Sequence, residues 1–303
     1  MADYAGPQMT GPAPAQVLLG LAVGDALGAP YEFSGQAPPS EPDRLAMSGG
    51  GGREPGEWTD GTAMALCLAE SILATREERR LFDEDDLVRR YATWVASGPK
   101  DVGITCREAL QGATSATAAR KRAYRWHRST QKTAGNGTLM RCAPIAIAAA
   151  DHDLALSAAR SDATLTHYDL AASSASAALV AAMRTPHDPF GAAAYQVRND
   201  RRFTESLRFV SQRDEEGLRQ LALTQRGTAW ATLAVALWAT CVIDDFARGV
   251  AFAISLGGDT DTDAACAGAL LVARRGVEDI PQHWLEELRE RERIEKLALA
   301  IAA

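Results

Sequence analysis

Residues Ser255–Asp263 read S-L-G-G-D-T-D-T-D, and Ala264, Ala265, Ala267, Gly268 and Ala269 follow closely. This stretch constrains the fold more than any other. Three carboxylates in five residues repel one another, so the cluster is costly unless solvent or a cation offsets its charge. Asp259 and Asp261 alternate with hydroxyls, and all of these oxygens are hard donors. That is ligand chemistry for Mg²⁺, Mn²⁺ or Ca²⁺ rather than for zinc. Asp and Thr also suit a helix N-cap. The small residues beyond Thr262 let helices approach closely, so a buried central helix can present Asp259 and Asp261 at its N-terminus, where carboxylates are stabilised as ions.

Helical spacing recurs along the 303 residues, while strand alternation and dense β-branched runs are rare. The chain therefore reads as all-α, a single compact multi-helix domain. Residues 1–14 read as a loose tail rich in Pro, Gly and Ala, and residues 15–303 as the domain. Helices are expected over 15–27, 62–73, 83–95, 103–111, 139–150, 170–183, 228–242, 245–254 and from 262 to about 274, then after Ile280-Pro281 and over 290–302. Residues 35–58, with four consecutive glycines at 49–52, read as a long loop. The segment 184–227 shows weak periodicity and no motif. A net charge of −7 argues against a general nucleic-acid binder. No leader pattern or long apolar run is seen, so a cytoplasmic protein without a membrane span is expected. The five cysteines lack a C-x-x-C pair and read as buried free thiols. The basic run 120–128 reads as a solvated face.

Further polar motifs are G-D-A-L-G-A-P-Y-E-F (24–33), W-T-D-G-T-A-M (58–64), D-V-G-I-T-C-R-E-A-L (101–110), G-N-G-T-L-M-R-C-A-P (135–144) and L-T-H-Y (165–168). Taken alone, T-D-G-T and G-N-G are commonly turns, Asp101 is equally a helix cap, and His167 is more often a hydrogen-bonded core histidine. In this order, and together with G-G-D-T-D-T-D, the motifs resemble those of the ADP-ribosylglycohydrolases over nearly the whole chain.

The resemblance implies a multi-helix fold that binds two metal ions, Mg²⁺ or Mn²⁺, and acts on an ADP-ribosylated protein to release ADP-ribose. It implies Thr59 and Asp60 as ligands of one ion, Asp259 and Thr262 of the other, and Asp261 of both. Asp263 falls beyond that set and reads as a cap or supporting acceptor. Glu32, Asp60, Asp101 and Asp261 are the catalytic candidates. Asp101 and Gly103 match a segment of members that cleave ADP-ribosylarginine, where Asp101 can pair with guanidinium. Gly135, Asn136, Gly137, Thr138, Met140 and His167 are expected to meet the ligand, the glycine turn offering backbone N–H groups to a diphosphate.

One departure stands out. The family usually carries a second aspartate after Asp60, and this chain has Gly61. One metal site is then expected to be weaker. The resemblance thus leaves open a hydrolase with impaired turnover, an ADP-ribose-binding member with little catalysis, and a hydrolase of a non-arginine linkage.

Overall fold

The computed structural model describes residues 11, 13–32, 38–77 and 80–303. Most of the tail expected at 1–14 lies outside the described residues. Ala13, however, is buried, and its N–H donates to the Ala146 carbonyl at 2.9 Å.

Sixteen α-helices and no strands occur among the described residues. They are α1 (Val17–Gly28), α2 (Asp60–Thr75), α3 (Glu84–Ala96), α4 (Ile104–Leu110), α5 (Ala116–Thr130), α6 (Ala143–Ala148), α7 (His152–Thr164), α8 (Leu170–Met183), α9 (Pro189–Val197), α10 (Arg201–Gln212), α11 (Glu215–Thr224), α12 (Ala229–Trp238), α13 (Phe246–Ser255), α14 (Thr260–Arg275), α15 (Gln282–Glu287) and α16 (Arg291–Ala302). A single apolar core runs through them. Among the described residues, no helix is long and apolar enough to cross a membrane.

The centre of the fold is α1 packed on α14. Both are buried along almost their whole length. Gly20, Gly24 and Gly28 lie four residues apart on one face of α1. A Cβ at these positions would fall 2.4 Å from the Gly268 carbonyl oxygen, 2.1 Å from that of Ala264 and 2.3 Å from that of Thr260. Backbone therefore meets backbone along this line, and the small-residue run after Thr262 is the other half of the contact. The Thr260 hydroxyl donates to the Gly28 carbonyl at 2.8 Å and fixes the register at the acidic end.

Besides α5 and α7, which were not among the expected helices, two regions differ from expectation. The helix expected over 139–150 shortens to α6, because Pro144 sits in its first turn and residues 136–142 form turns instead. The weakly periodic segment 184–227 holds three helices, α9, α10 and α11. Asp188, Asp200 and Asp214 cap them by accepting from Gly191, Arg202 and Gly217 N–H groups. Aspartate caps mark these starts, and α10 is periodic after all, burying Phe203, Leu207 and Val210 on one face. The basic run 120–128 lies on α5. Arg120 pairs with both Glu84 oxygens at 2.7 Å, and Arg122 donates to the Glu108 carbonyl, so this face is only partly solvated. All five cysteines are free; Cys106, Cys142 and Cys266 are buried, and Cys67 and Cys241 are half-buried.

Candidate active site

The N-terminal ends of α2 and α14 meet at one cavity. Gly257 and Gly258, at φ +68° and +84°, turn the chain from α13 into α14, with Asp259 as the residue before the first turn. Asp60 and Asp261, both buried, thus sit at helix N-termini that favour negative charge.

Asp25 on α1 holds this junction. It is fully buried and accepts from Thr59 N–H and Thr62 N–H, and from the Thr59 and Thr62 hydroxyls. Burial raises its pKa, and those four hydrogen bonds pull it back. The Thr59 hydroxyl donates to Asp25 at 2.6 Å. Its oxygen keeps lone pairs for another partner.

Asp60 and Asp261 have fewer donors among the described residues. Asp60 accepts from the Gly103 N–H at 3.0 Å, and Asp261 from the Thr262 N–H at 2.8 Å. Glu32, Asp259 and Asp261 can bring one oxygen each within 4.8 Å of one another, and so can Asp60, Asp101 and Asp261. Asp261 belongs to both sets. Desolvation and neighbouring carboxylates, Asp259 first among them, hold its pKa well above the usual range. Burial and then Asp101 push Asp60 up to about 7. Burial, then Asp101, Asp259 and Asp60, raise Glu32 to about 8, against the pull of Arg53. Carboxylates crowded together with few donors, and with oxygen as the only ligand atom, fit a hard divalent cation. Thr262 lies beside them, its hydroxyl 3.5 Å from the Met140 sulfur.

The cavity encloses about 420 Å³ and is lined by Glu32, Asp60, Asp101, Asp259, Asp261 and Thr262 on one side. Gly103, Gly135, Asn136, Gly137, Met140 and His167 also line it, as do Lys132 and Gly227. Thr59 lies behind Asp60 and faces a smaller neighbouring cavity. Thr138 does not line the main cavity, contrary to the sequence reading. It is buried, donates to the Ala172 carbonyl and accepts from Ser176, so its hydroxyl anchors the loop to α8. Asp101 meets an internal partner: its Oδ2 is 2.7 Å from the Arg53 Nη2.

The G-N-G loop is fastened from several sides. Asn136 N–H donates to the Gly227 carbonyl, and Ala229 N–H to that of Ala134. Asn136 Nδ2 donates to Asp259 at 3.0 Å and to the Thr232 hydroxyl at 2.9 Å. Thr232 in turn donates to Asp263. Asp263 is thus a supporting acceptor, and burial with Asp259 nearby raises it to about 8. Arg141 is buried beneath the loop, paired with Asp162 at 2.8 Å and donating to the Gly137 carbonyl and the Thr166 hydroxyl. Thr166 bonds His167 Nδ1 at 2.8 Å. Burial, and then Arg141, lower His167 to about 3, so the ring is neutral.

Sequence reasoning missed four contributors. Asp25 lay inside a quoted motif but had no assigned role. Gly227 closes the segment read as featureless; it has φ +68°, and a Cβ there would lie 3.2 Å from Asp259 Oδ2. Thr232 and Arg53 gave no motif signal. A glycine just before an apolar helix was the one available hint for Gly227.

Comparison with known proteins places the chain among relatives of one family. Residues 15–303 match the family model described as ADP-ribosylglycohydrolase. The chain is 32% identical over 280 residues to the ADP-ribosyl-dinitrogen reductase glycohydrolase of Rhodospirillum rubrum, covering 89% of this chain and 88% of that one. It is 33% identical over 306 residues to an ADP-ribosylarginine hydrolase of Serratia proteamaculans (strain 568), covering 93% and 76%. A solved structure titled ADP-ribosylglycohydrolase-related protein complex superposes with a TM-score of 0.72 at 34% identity, covering 95% of this chain and 96% of that one.

Proposed function

We propose that this chain, which belongs to the ADP-ribosylglycohydrolase family, is a metal-dependent hydrolase that frees ADP-ribose from modified arginine on a protein. The observation that carries this reading is Asp261, shared by two acidic sets drawn from four separate segments. Thr59, Asp60, Asp259, Asp261 and Thr262 would hold Mg²⁺ or Mn²⁺, which supplies charge stabilisation and orients ribose hydroxyls and water.

The chain's own groups supply the rest. Hydrolysis breaks the bond from C1″ of the terminal ribose to the arginine nitrogen; water contributes OH to C1″ and a proton to the nitrogen. Burial and neighbouring carboxylates raise the Glu32 pKa in the cation-free protein; with a cation bound its carboxylate can take a proton from water and pass it to the leaving group. Asp101 faces the guanidinium. Gly135, Asn136 and Gly137 offer a tethered turn to the diphosphate, and neutral His167 offers a hydrogen bond without charge.

Gly61 favours a second reading, in which ADP-ribose is bound and turnover is slow. Chromatography of ADP-ribose released from ADP-ribosylarginine and ADP-ribosylserine peptides, with and without Mg²⁺, separates the cases. Faster cation-dependent release from arginine is expected. Release from serine alone overturns the arginine assignment, and ADP-ribose binding without release from either peptide supports the second reading.

A further inference from the structure

The Arg53 side chain is only 9% exposed. It ends a tight turn closed by Gly50 N–H on the Arg53 carbonyl and by Arg53 N–H on the Gly50 carbonyl. Its Nη2 lies 2.7 Å from Asp101 Oδ2 and 3.8 Å from Glu32 Oε2. Arg53 lines a second cavity of about 260 Å³ with Trp58, Trp94 and Lys100, and that cavity shares Asp60 and Asp101 with the main one. A guanidinium is therefore seated against two carboxylates where the cavities join.

We propose that Arg53 is a specificity-determining residue whose guanidinium occupies the seat on Asp101 that an arginine leaving group needs, and so competes with it from within the chain. This rests on the arginine reading above. A second guanidinium brought to Asp101 is repelled by the one already there and loses the Oδ2 that Arg53 holds, so Arg53 weakens its binding. The internal competitor has the advantage of being tethered, which raises its effective concentration. Leaving groups without a positive charge do not need Asp101 free, so Arg53 biases the site toward them. A purely charge-neutralising Arg53 makes the opposite prediction, since its loss would then worsen the site.

The test compares wild type with Arg53→Ala and Arg53→Lys. KM for ADP-ribosylarginine is expected to fall about tenfold or more in Arg53→Ala, the change falling on KM rather than kcat. Arg53→Lys keeps a cation on Asp101 and stays close to wild type. Chemical-shift titration with methylguanidinium, without substrate, is expected to show tighter binding to Arg53→Ala by a similar factor. If Arg53→Ala melts early, Arg53→Gln serves in its place. An unchanged or raised KM, with unchanged methylguanidinium binding, overturns the inference and leaves the arginine reading intact. Tighter methylguanidinium binding with no turnover of ADP-ribosylarginine by any variant overturns the arginine reading and leaves the internal competitor standing.

Discussion

Asp25 and Asp261 lie on facing helices, both buried, and they are treated in opposite ways. Asp25 receives two N–H groups and two hydroxyls from Thr59 and Thr62. Asp261 receives the neighbouring Thr262 N–H and otherwise faces Asp259, Glu32, Asp25 and Asp60. A buried carboxylate surrounded by donors is a structural tie. One surrounded by other carboxylates lacks a partner that the chain does not provide, and a cation is the chemically apt one. The same residue type is thus tied into the scaffold on α1 and left among other carboxylates on α14.

The sharpest way to break this comparison is to make the same substitution on each side. Asp261→Asn removes the charge common to both acidic sets. Release of ADP-ribose is expected to fall about a thousandfold, roughly 4 kcal/mol in barrier. The cation-free protein should melt no lower than wild type, because repulsion is relieved. Asp25→Asn turns an acceptor into a group whose NH₂ confronts donors. It is expected to cost about 3 kcal/mol of stability, read as a lowered melting temperature. If Asp261→Asn melts early and Asp25→Asn does not, the two roles are assigned the wrong way round.

Gly61 sharpens the comparison at smaller scale. A Cβ there would lie 3.4 Å from Asp25 Oδ2 and from Met140 Cβ, which is contact without overlap. The position thus has room for a Cβ, and Gly61→Asp adds a carboxylate at the Thr59–Asp60 end. Hydrolysis of ADP-ribosylarginine is expected to rise about tenfold, roughly 1.4 kcal/mol, with the gain concentrated at limiting Mg²⁺. No gain at limiting or saturating metal shows that Gly61 is no lesion.

The sequence carried much of this fold and site, for identifiable reasons. The run after Thr262 announced a buried helix with acids at its start, because small residues have little use at such density except close packing. It did not reveal that α1 answers with Gly20, Gly24 and Gly28, since three glycines in an apolar helix look weak until the partner backbone is seen. The acids of the site were legible because hard oxygen donors cluster locally. Thr138 was misjudged because a residue beside a ligand loop can point either way, and only packing against α8 decides it. Arg53 was illegible because its partner Asp101 is 48 residues away. The helices of 184–227 left signals that the reading of weak periodicity missed: capping aspartates at their starts, and in α10 an apolar stripe of Phe203, Leu207 and Val210.

The central claim is that the crowded acids around Asp261 are a cation site. Calorimetric titration of the cation-free protein with Mg²⁺, in wild type and Asp261→Asn and in buffers of different ionisation heat, tests it most directly. Glu32 at about 8 and Asp60 at about 7 hold protons near neutrality in the cation-free protein. A cation must displace those protons, so binding should release protons at pH 7, and affinity should fall as the pH is lowered from about 8 toward 6. The account predicts saturable binding with proton release in wild type, and affinity lowered about a hundredfold or more in Asp261→Asn, or roughly 2.7 kcal/mol. Equal binding by the two proteins, or no binding by wild type at either pH, would contradict it.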